Sequence, residues 1–245
     1  MAVAIFAMSG CGSKRPVNLV QSPEDIAGRI IGVLSGSPSA RLADELGLAR
    51  SYDSIDSLME NLKFGALDCI LMENTVAAEL VGEASGVKLI GEPMLEYDLR
   101  FAVAKENAEL LGAVNSALAY LEGNGTLNGL RGKYFASKAY AYVPPENVSP
   151  HPGALILAVS ADDRPFSYKD DSGVFCGLNI DVAVAVCDSL GVELQITGLD
   201  TGELITAVWY GKADLALGWL PGDVGDVVNL SESYAHTSHV IIVRE

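Results

Sequence analysis

The sequence predicts an α/β protein of two lobes, mainly parallel sheets with flanking helices, and three observations lead there. Short apolar runs suited to buried strands alternate with amphipathic stretches along the whole chain, the pattern of parallel sheets rather than of a sandwich or a bundle. A helix-Gly-x-x-Asp-strand cassette occurs twice. Leu58, Leu62, Phe64, Gly65, Asp68 and Ile70 match Leu204, Val208, Tyr210, Gly211, Asp214 and Ala216 at one constant interval. The 245 residues, 49% of them hydrophobic, suffice for one large core or two modest ones. Two similar halves leave a cleft between them, where small molecules most often bind. The competing reading is that helix, Gly C-cap and buried strand follow one another in any α/β protein.

In chain order, Ser22, Pro23 and Glu24 open a short helical turn after a polar tether. Ile30–Leu34 is continuously apolar and is expected as a buried parallel strand. The small-residue loop 35–39 (SGSPS) leads into a helix over 40–46. Such a loop presents backbone N–H groups and hydroxyls above the strand, which suits a bound carboxylate as well as it suits a capped turn with no ligand. Helical spacing predicts a helix over Ile55–Phe64, then a strand over 68–72, a helix over 75–81, a strand over 87–90 and a further extension over 99–104. Apolar spacing gives helices over 108–121 and 125–135, and the Pro-rich 140–152 (YAYVPPENVSPHP) reads as a linker. Beyond it come a strand at 155–159, a turn-rich stretch at 161–173, a helix over 180–190, a strand near Leu194, the second cassette and a closing strand over 239–243.

The formal charge of −16 argues against nucleic acid and anionic membrane surfaces as partners. No run approaches the roughly 20 apolar residues of a spanning helix. The first eight residues (MAVAIFAM) are apolar and lead to Ser9, Gly10 and Cys11, which resembles a bacterial lipoprotein signal whose cysteine is acylated, although the run is short and has no Lys or Arg ahead of it. Cys69 and Cys187 lie in apolar stretches and read as small buried hydrophobes; a Cys176–Cys187 disulfide would suit an oxidising compartment, but spacing does not establish its geometry. No GxSxG elbow, Walker A loop, GxGxxG or HExxH occurs. His236 and His239, three apart in a strand, point to opposite faces and make a poor metal pair. No cofactor is expected. Glu73 at a strand end and the pair Asp162 and Asp163 remain as acids, bases or charges that orient a ligand.

From Leu155 the chain reads LILAVSADDRPFSYKDDSGVFCGLNIDVAVAVCDSLGVEL, then YGKADLALGW and VVNLSESYAHTSHVIIVRE. These segments resemble the opening strand, Pro-Phe-x-Tyr turn, helix start, Gly-x-x-Asp strand and hinge strand of the bacterial extracellular solute-binding proteins of polar amino acid uptake, which have the type II periplasmic binding protein fold. SPEDIAGRIIGVLSGSPSARLADEL, GALDCILMENTVAAEL, LIGEPMLEYDLRFAVAKENAELLGAVNSAL and GNGTLNGLRGKYF resemble that family's second half, yet come first. The chain therefore resembles a circular permutant, or else a fragment spanning two tandem domains. The resemblance implies a tether over 1–17, one lobe from 18–102 plus 238–245, and another from 103–237 that contains the 140–152 linker. New ends in exposed loops are tolerated where the old ones lie close together.

Carried over position by position, the resemblance implies a ligand site at Gly36, Ser37, Ser39, Glu73, Asp163, Phe166, Gly218, Trp219 and Leu220. The serine loop would hold a carboxylate, Glu73 an amino group, and Trp219 a π face. Two departures stand out. Asp163 replaces the aromatic that stacks on the ligand, and the short loop at 221–226 (PGDVGD) lacks the arginine that binds a carboxylate; Arg164 and Arg41 do not match its position. Losing such an arginine removes roughly 1.5 to 3 kcal/mol, which brings an amine-bearing solute forward as the rival to an ordinary α-amino acid. The implied protein is not an enzyme. It is an extracytoplasmic, monomeric solute-binding component, lipid-anchored through Cys11, that delivers a small amino acid or amine to the membrane permease of an ABC transporter. A sensor or partner-binding domain without a transporter, and a cyclohexadienyl dehydratase-like enzyme, are the alternatives.

Overall fold

The structure, a computed structural model, describes residues 17–35, 37–83, 86–136, 138–146, 148–218, 220 and 224–245. The leader with Cys11, the site positions Gly36 and Trp219, and residues 221–223 of the short loop lie outside the described residues.

Two five-stranded sheets organise the chain. The first half supplies β1 (Ile30–Leu34), α1 (Pro38–Leu46), β2 (Leu48–Tyr52), α2 (Ile55–Phe64), β3 (Cys69–Glu73), α3 (Asn74–Glu83) and β4 (Val87–Leu99). The second supplies β5 (Ala102–Ala104), α4 (Ala108–Gly123), α5 (Thr126–Phe135), β6 (Ala154–Val159), β7 (Asp162–Asp163), β8 (Ser167–Lys169), β9 (Phe175–Cys176), α6 (Leu178–Leu190), β10 (Glu193–Gly198), α7 (Leu204–Trp209), β11 (Leu215–Leu217), β12 (Val228–Leu230) and β13 (Ala235–Arg244). The sheet orders are β2-β1-β3-β13-β4 and β10-β6-β11-β5-β12, with β7, β8 and β9 forming a small antiparallel sheet. In each large sheet four strands share a direction and one, β13 or β5, runs against them. β13 comes from the far end of the chain and β5 directly follows β4 of the other sheet, so the backbone crosses between sheets twice, at 100–101 and at 231–234.

Alternate residues of the strands pack on both faces, as they must in a covered parallel sheet. In the first sheet Ile31, Val33, Cys69, Leu71 and Ile241 join one core with α1, while Ile70, Met72 and Ile242 join Leu58 and Leu62 of α2 in another. The second sheet packs Leu157, Val159, Leu215 and Leu217 against α4, α5 and α6, and Ala158 and Ala216 against α7.

The doubled cassette has one local cause in both copies. Gly65 and Gly211 carry φ of 81° and 66°, the left-handed conformation that ends a helix and that glycine adopts without strain. Three residues on, Asp68 returns to the sheet. Its backbone N–H donates to the Ile30 carbonyl at 2.9 Å and its Oδ2 accepts from the Ile30 N–H at 2.9 Å. Asp214 repeats both bonds with Ile156, at 2.9 and 2.8 Å. The conserved spacing thus ties each helix return to the first residues of the neighbouring strand.

Several elements differ from the sequence expectation. The stretch expected to extend over 99–104 is split between sheets, because the chain crosses at 100–101. The strand expected at 87–90 continues to Leu99, paired along β13 with a register shift between His239 and Ile241. The turn-rich 161–173 contains two short strands, β7 and β8, that pair with each other, and β8 pairs in turn with Phe175–Cys176. β2 and β12 were not anticipated; both are sheet edges and lack a continuous apolar run. Cys69, Cys176 and Cys187 are free thiols, with no Cys176–Cys187 bond. Among the described residues no helix is long and apolar enough to cross a membrane, and no group of His, Cys, Asp and Glu is placed to hold a metal ion.

Candidate functional site

The carboxyl ends of the parallel strands in the two sheets meet at a seam, the position where open α/β sheets place their ligands. From the first sheet come Leu34 and the serine loop after β1, and Glu73 at the end of β3. From the second come Asp163, Arg164 and Phe166 after β6. These residues line one small cavity of about 30 Å³, together with Tyr97 of β4 and His239 of β13. That space accommodates a water or two but not an amino acid. Outside it lie two open clefts of about 550 and 630 Å³. Asp53, Asp56, Asp162, Asp200 and Glu203 contribute to their walls, against Arg164 and Lys169. The Arg164 guanidinium lies 3.8 Å from the Tyr168 ring centroid, and Lys169 Nζ 4.9 Å from that of Phe175. Both cations are thus turned onto aromatic rings of their own small sheet, and acidic groups dominate the seam.

Glu73 is 6% exposed, and its carboxylate is fully engaged. Oε2 accepts from the N–H groups of Thr75 and Val76 at 2.9 and 3.1 Å and from the Thr75 hydroxyl; Oε1 accepts from the Thr237 hydroxyl at 2.6 Å. It therefore sits at the start of α3, where a carboxylate satisfies otherwise unpaired N–H groups. His239 is buried, with Nδ1 bonded to the Ser39 hydroxyl and Nε2 3.4 Å from the Tyr97 hydroxyl. Burial pulls its pKa down to about 4, so the ring is neutral at pH 7. Burial, then the charge of Glu73, pushes the Asp163 carboxyl up to about 7. Tyr97 and Tyr234 are likewise pushed up by burial and by the charge of Asp163.

Two sheets of one order, each with a single reversed strand and a cleft at the strand ends, form the architecture that the comparisons with known proteins recover. Residues 155–245 match the bacterial extracellular solute-binding proteins, family 3. The L-cystine-binding protein TcyJ of Escherichia coli (strain K12) is 29% identical over 122 residues, 48% of this chain and 46% of that protein. The arginine-binding extracellular protein ArtP of Bacillus subtilis (strain 168) is 31% identical over 93 residues, 37% of this chain and 36% of that protein. The chain thus spans less than half the length of these curated relatives. Across the whole fold, a phosphate-binding protein of a Streptococcus pneumoniae TIGR4 phosphate ABC transporter superposes with a TM-score of 0.52 over 89% of both chains at 15% identity, a likeness of fold alone. The resemblance to solute-binding proteins of polar amino acid uptake, and the two-lobed α/β fold that came with it, therefore hold.

The residues assigned by resemblance fall into two groups. Ser37, Ser39, Glu73, Asp163 and Phe166 line the small cavity. Ser37 and Ser39 nonetheless have their hydroxyls engaged, Ser37 with the Leu34 carbonyl at 2.8 Å and Ser39 with His239. Phe166 is 1% exposed and packs mainly into the core of the second sheet, edge-on to Phe135. Gly218 and Leu220 lie outside the linings of the three cavities, and Leu220 packs against the core beside α7. Tyr97, Thr237 and His239 belong to the site and were missed from sequence. The one available signal was the odd spacing that sends His239 to the face opposite His236, which is exposed and 3.3 Å from Asp98.

Proposed function

We propose that the protein is the extracytoplasmic solute-binding component of an ABC-type uptake system, and that it takes a small amino acid or amine-bearing solute between its lobes. The observation that carries this reading is the seam itself, where Glu73 and Asp163 from different sheets share a cavity at the strand ends, in a chain whose residues 155–245 match the solute-binding family. Only two backbone crossings join the sheets, so rotation at 100–101 and 231–234 opens the cavity with little disturbance of either core. A solute drives closure by making better contacts in the closed form than in the open one. The lobes would be 18–102 plus 238–245, and 103–237. The 140–152 segment would join what relatives keep as separate ends, so that the chain is circularly permuted. Supporting this, Asn18 Nδ2 donates to the Arg244 carbonyl at 3.0 Å, which brings the start of the first lobe beside its last strand. Cys11 would carry the lipid anchor, and the monomer would deliver its solute to a permease.

Thermal-shift screening against amino acids and amines tests the reading, since a ligand bound only by the native state raises its apparent stability. At least one solute of this class should raise the melting temperature in proportion to the logarithm of its concentration, and Glu73→Gln should weaken its binding by calorimetry. A panel with no stabilising member overturns the reading, and undiminished affinity in Glu73→Gln removes the site assignment.

A further inference from the structure

Asp163 occupies the position where the resemblance implies a ligand-stacking aromatic, and what surrounds it is unusual. Across the seam stands Glu73, whose oxygens already accept four hydrogen bonds. Among the described residues no hydrogen-bond or ion-pair partner serves the Asp163 carboxyl, although it lines the small cavity at the seam. The first sheet also presents His239, neutral through burial, and Tyr97. The segment before β13 presents Tyr234, and Arg164 beside Asp163 is turned onto Tyr168. Asp53, Asp56, Asp162 and Lys169 line the adjoining cleft. Two carboxyl groups from different sheets are therefore brought to one cavity, and among the described residues no cation is paired with Asp163.

We propose that a cationic group of the solute, an ammonium or a guanidinium, seats between Asp163 and Glu73, and that this pair selects cationic over neutral solutes. The inference rests on the solute-binding reading, for which the family match to residues 155–245 is independent ground. Closing the lobes on two carboxylates in a water-poor seam is unfavourable, and a cation between them turns the repulsion into two charge-assisted contacts. A neutral solute leaves one alternative, a proton held by Asp163, whose carboxyl burial and the charge of Glu73 already push up to about 7. Both solutes close the same cleft. The ratio of their affinities therefore isolates this group: it should rise as pH increases to about 7 and level off above.

The experiment is calorimetry at pH 6 and pH 8 with L-arginine, L-citrulline (neutral side chain, α-ammonium kept), 5-guanidinopentanoate (α-ammonium removed) and putrescine. If the side chain supplies the cation, arginine and 5-guanidinopentanoate outbind citrulline; if the α-ammonium supplies it, arginine and citrulline outbind 5-guanidinopentanoate. In either case the favoured-to-disfavoured ratio should grow roughly tenfold from pH 6 to pH 8, and Asp163→Asn should abolish that growth. Putrescine binding alone should tighten with pH in the wild type and not in Asp163→Asn. Selectivity independent of pH and of Asp163→Asn, or binding confined to neutral solutes, overturns the inference and leaves the solute-binding reading standing. Failure of every solute, including those of the wider thermal-shift panel, overturns both.

Discussion

Asp163 and His239 line one cavity and prefer opposite protonation states, and the pH dependence of stability in the ligand-free protein should reveal both. The Asp163 carboxyl goes from 3.8 to about 7 on folding. Its favourable contribution is therefore complete below pH 4 and is lost as pH rises through 7. The His239 imidazole goes from 6.5 to about 4, so its contribution is complete above pH 6.5 and is lost as pH falls through 4. At about 1.4 kcal/mol per pKa unit, the first change is worth about 4 kcal/mol and the second about 3 kcal/mol. Between pH 4 and 6.5 they run in opposite directions and nearly cancel in the wild type. Each single variant should expose the other. Relative to wild type, Asp163→Asn should gain up to about 4 kcal/mol as pH rises from 4 to 7, and His239→Gln up to about 3 kcal/mol as pH falls from 6.5 to 4. Urea unfolding followed by fluorescence, with variant-minus-wild-type differences taken at each pH, removes every other titrating group. Flat difference curves, or slopes of the same sign, would refute the pairing of these two groups in one buried seam.

Two further outcomes follow from the fold. Asp68→Ala and Asp214→Ala should each cost about 1.5 to 3 kcal/mol, because each removes a charged acceptor from a strand-opening N–H, and a large cost in one with none in the other would break the equivalence of the two copies. Joining Glu245 to Asn18 by a short linker and opening the chain within 140–152 should give a protein with the same solute affinity and a similar melting temperature, read by calorimetry and circular dichroism; failure to fold would count against those segments as interchangeable connections.

The helices were legible because their signals are local. Ile55–Phe64 is bounded by Ser54, whose hydroxyl accepts from the Ser57 N–H at 3.3 Å, and by Gly65, and both are visible in the sequence without any partner. Buried central strands such as Ile30–Leu34 were legible for the same reason: both faces are covered, so the whole run is apolar. Edges were not. Leu48–Tyr52 has one neighbour strand and mostly exposed side chains, which leaves LARSY with neither alternation nor an apolar run. In the site, Glu73 and Asp163 were reached by position in a motif. His239, Tyr97 and Thr237 were not, because what brings them there is the register of β13 against β3 and β4, with His239 opposite Glu73 and Leu95. Register between strands so far apart in sequence leaves no mark in either segment alone.

That placement of β13 also bears on how the protein is made. The strand lies between β3 and β4, although the whole second sheet separates it from β4 along the chain. During synthesis β1 to β4 emerge well before β13, and until it arrives the edges of β3 and β4 that pair with it have their N–H and C=O groups unpaired. Such edges attract strands from other chains, and contacts this distant in sequence form late. Translation that stops before Ala235 would leave the sheet open at its centre, not merely shortened at one side. β13 is thus the strand that covers both of these edges at once.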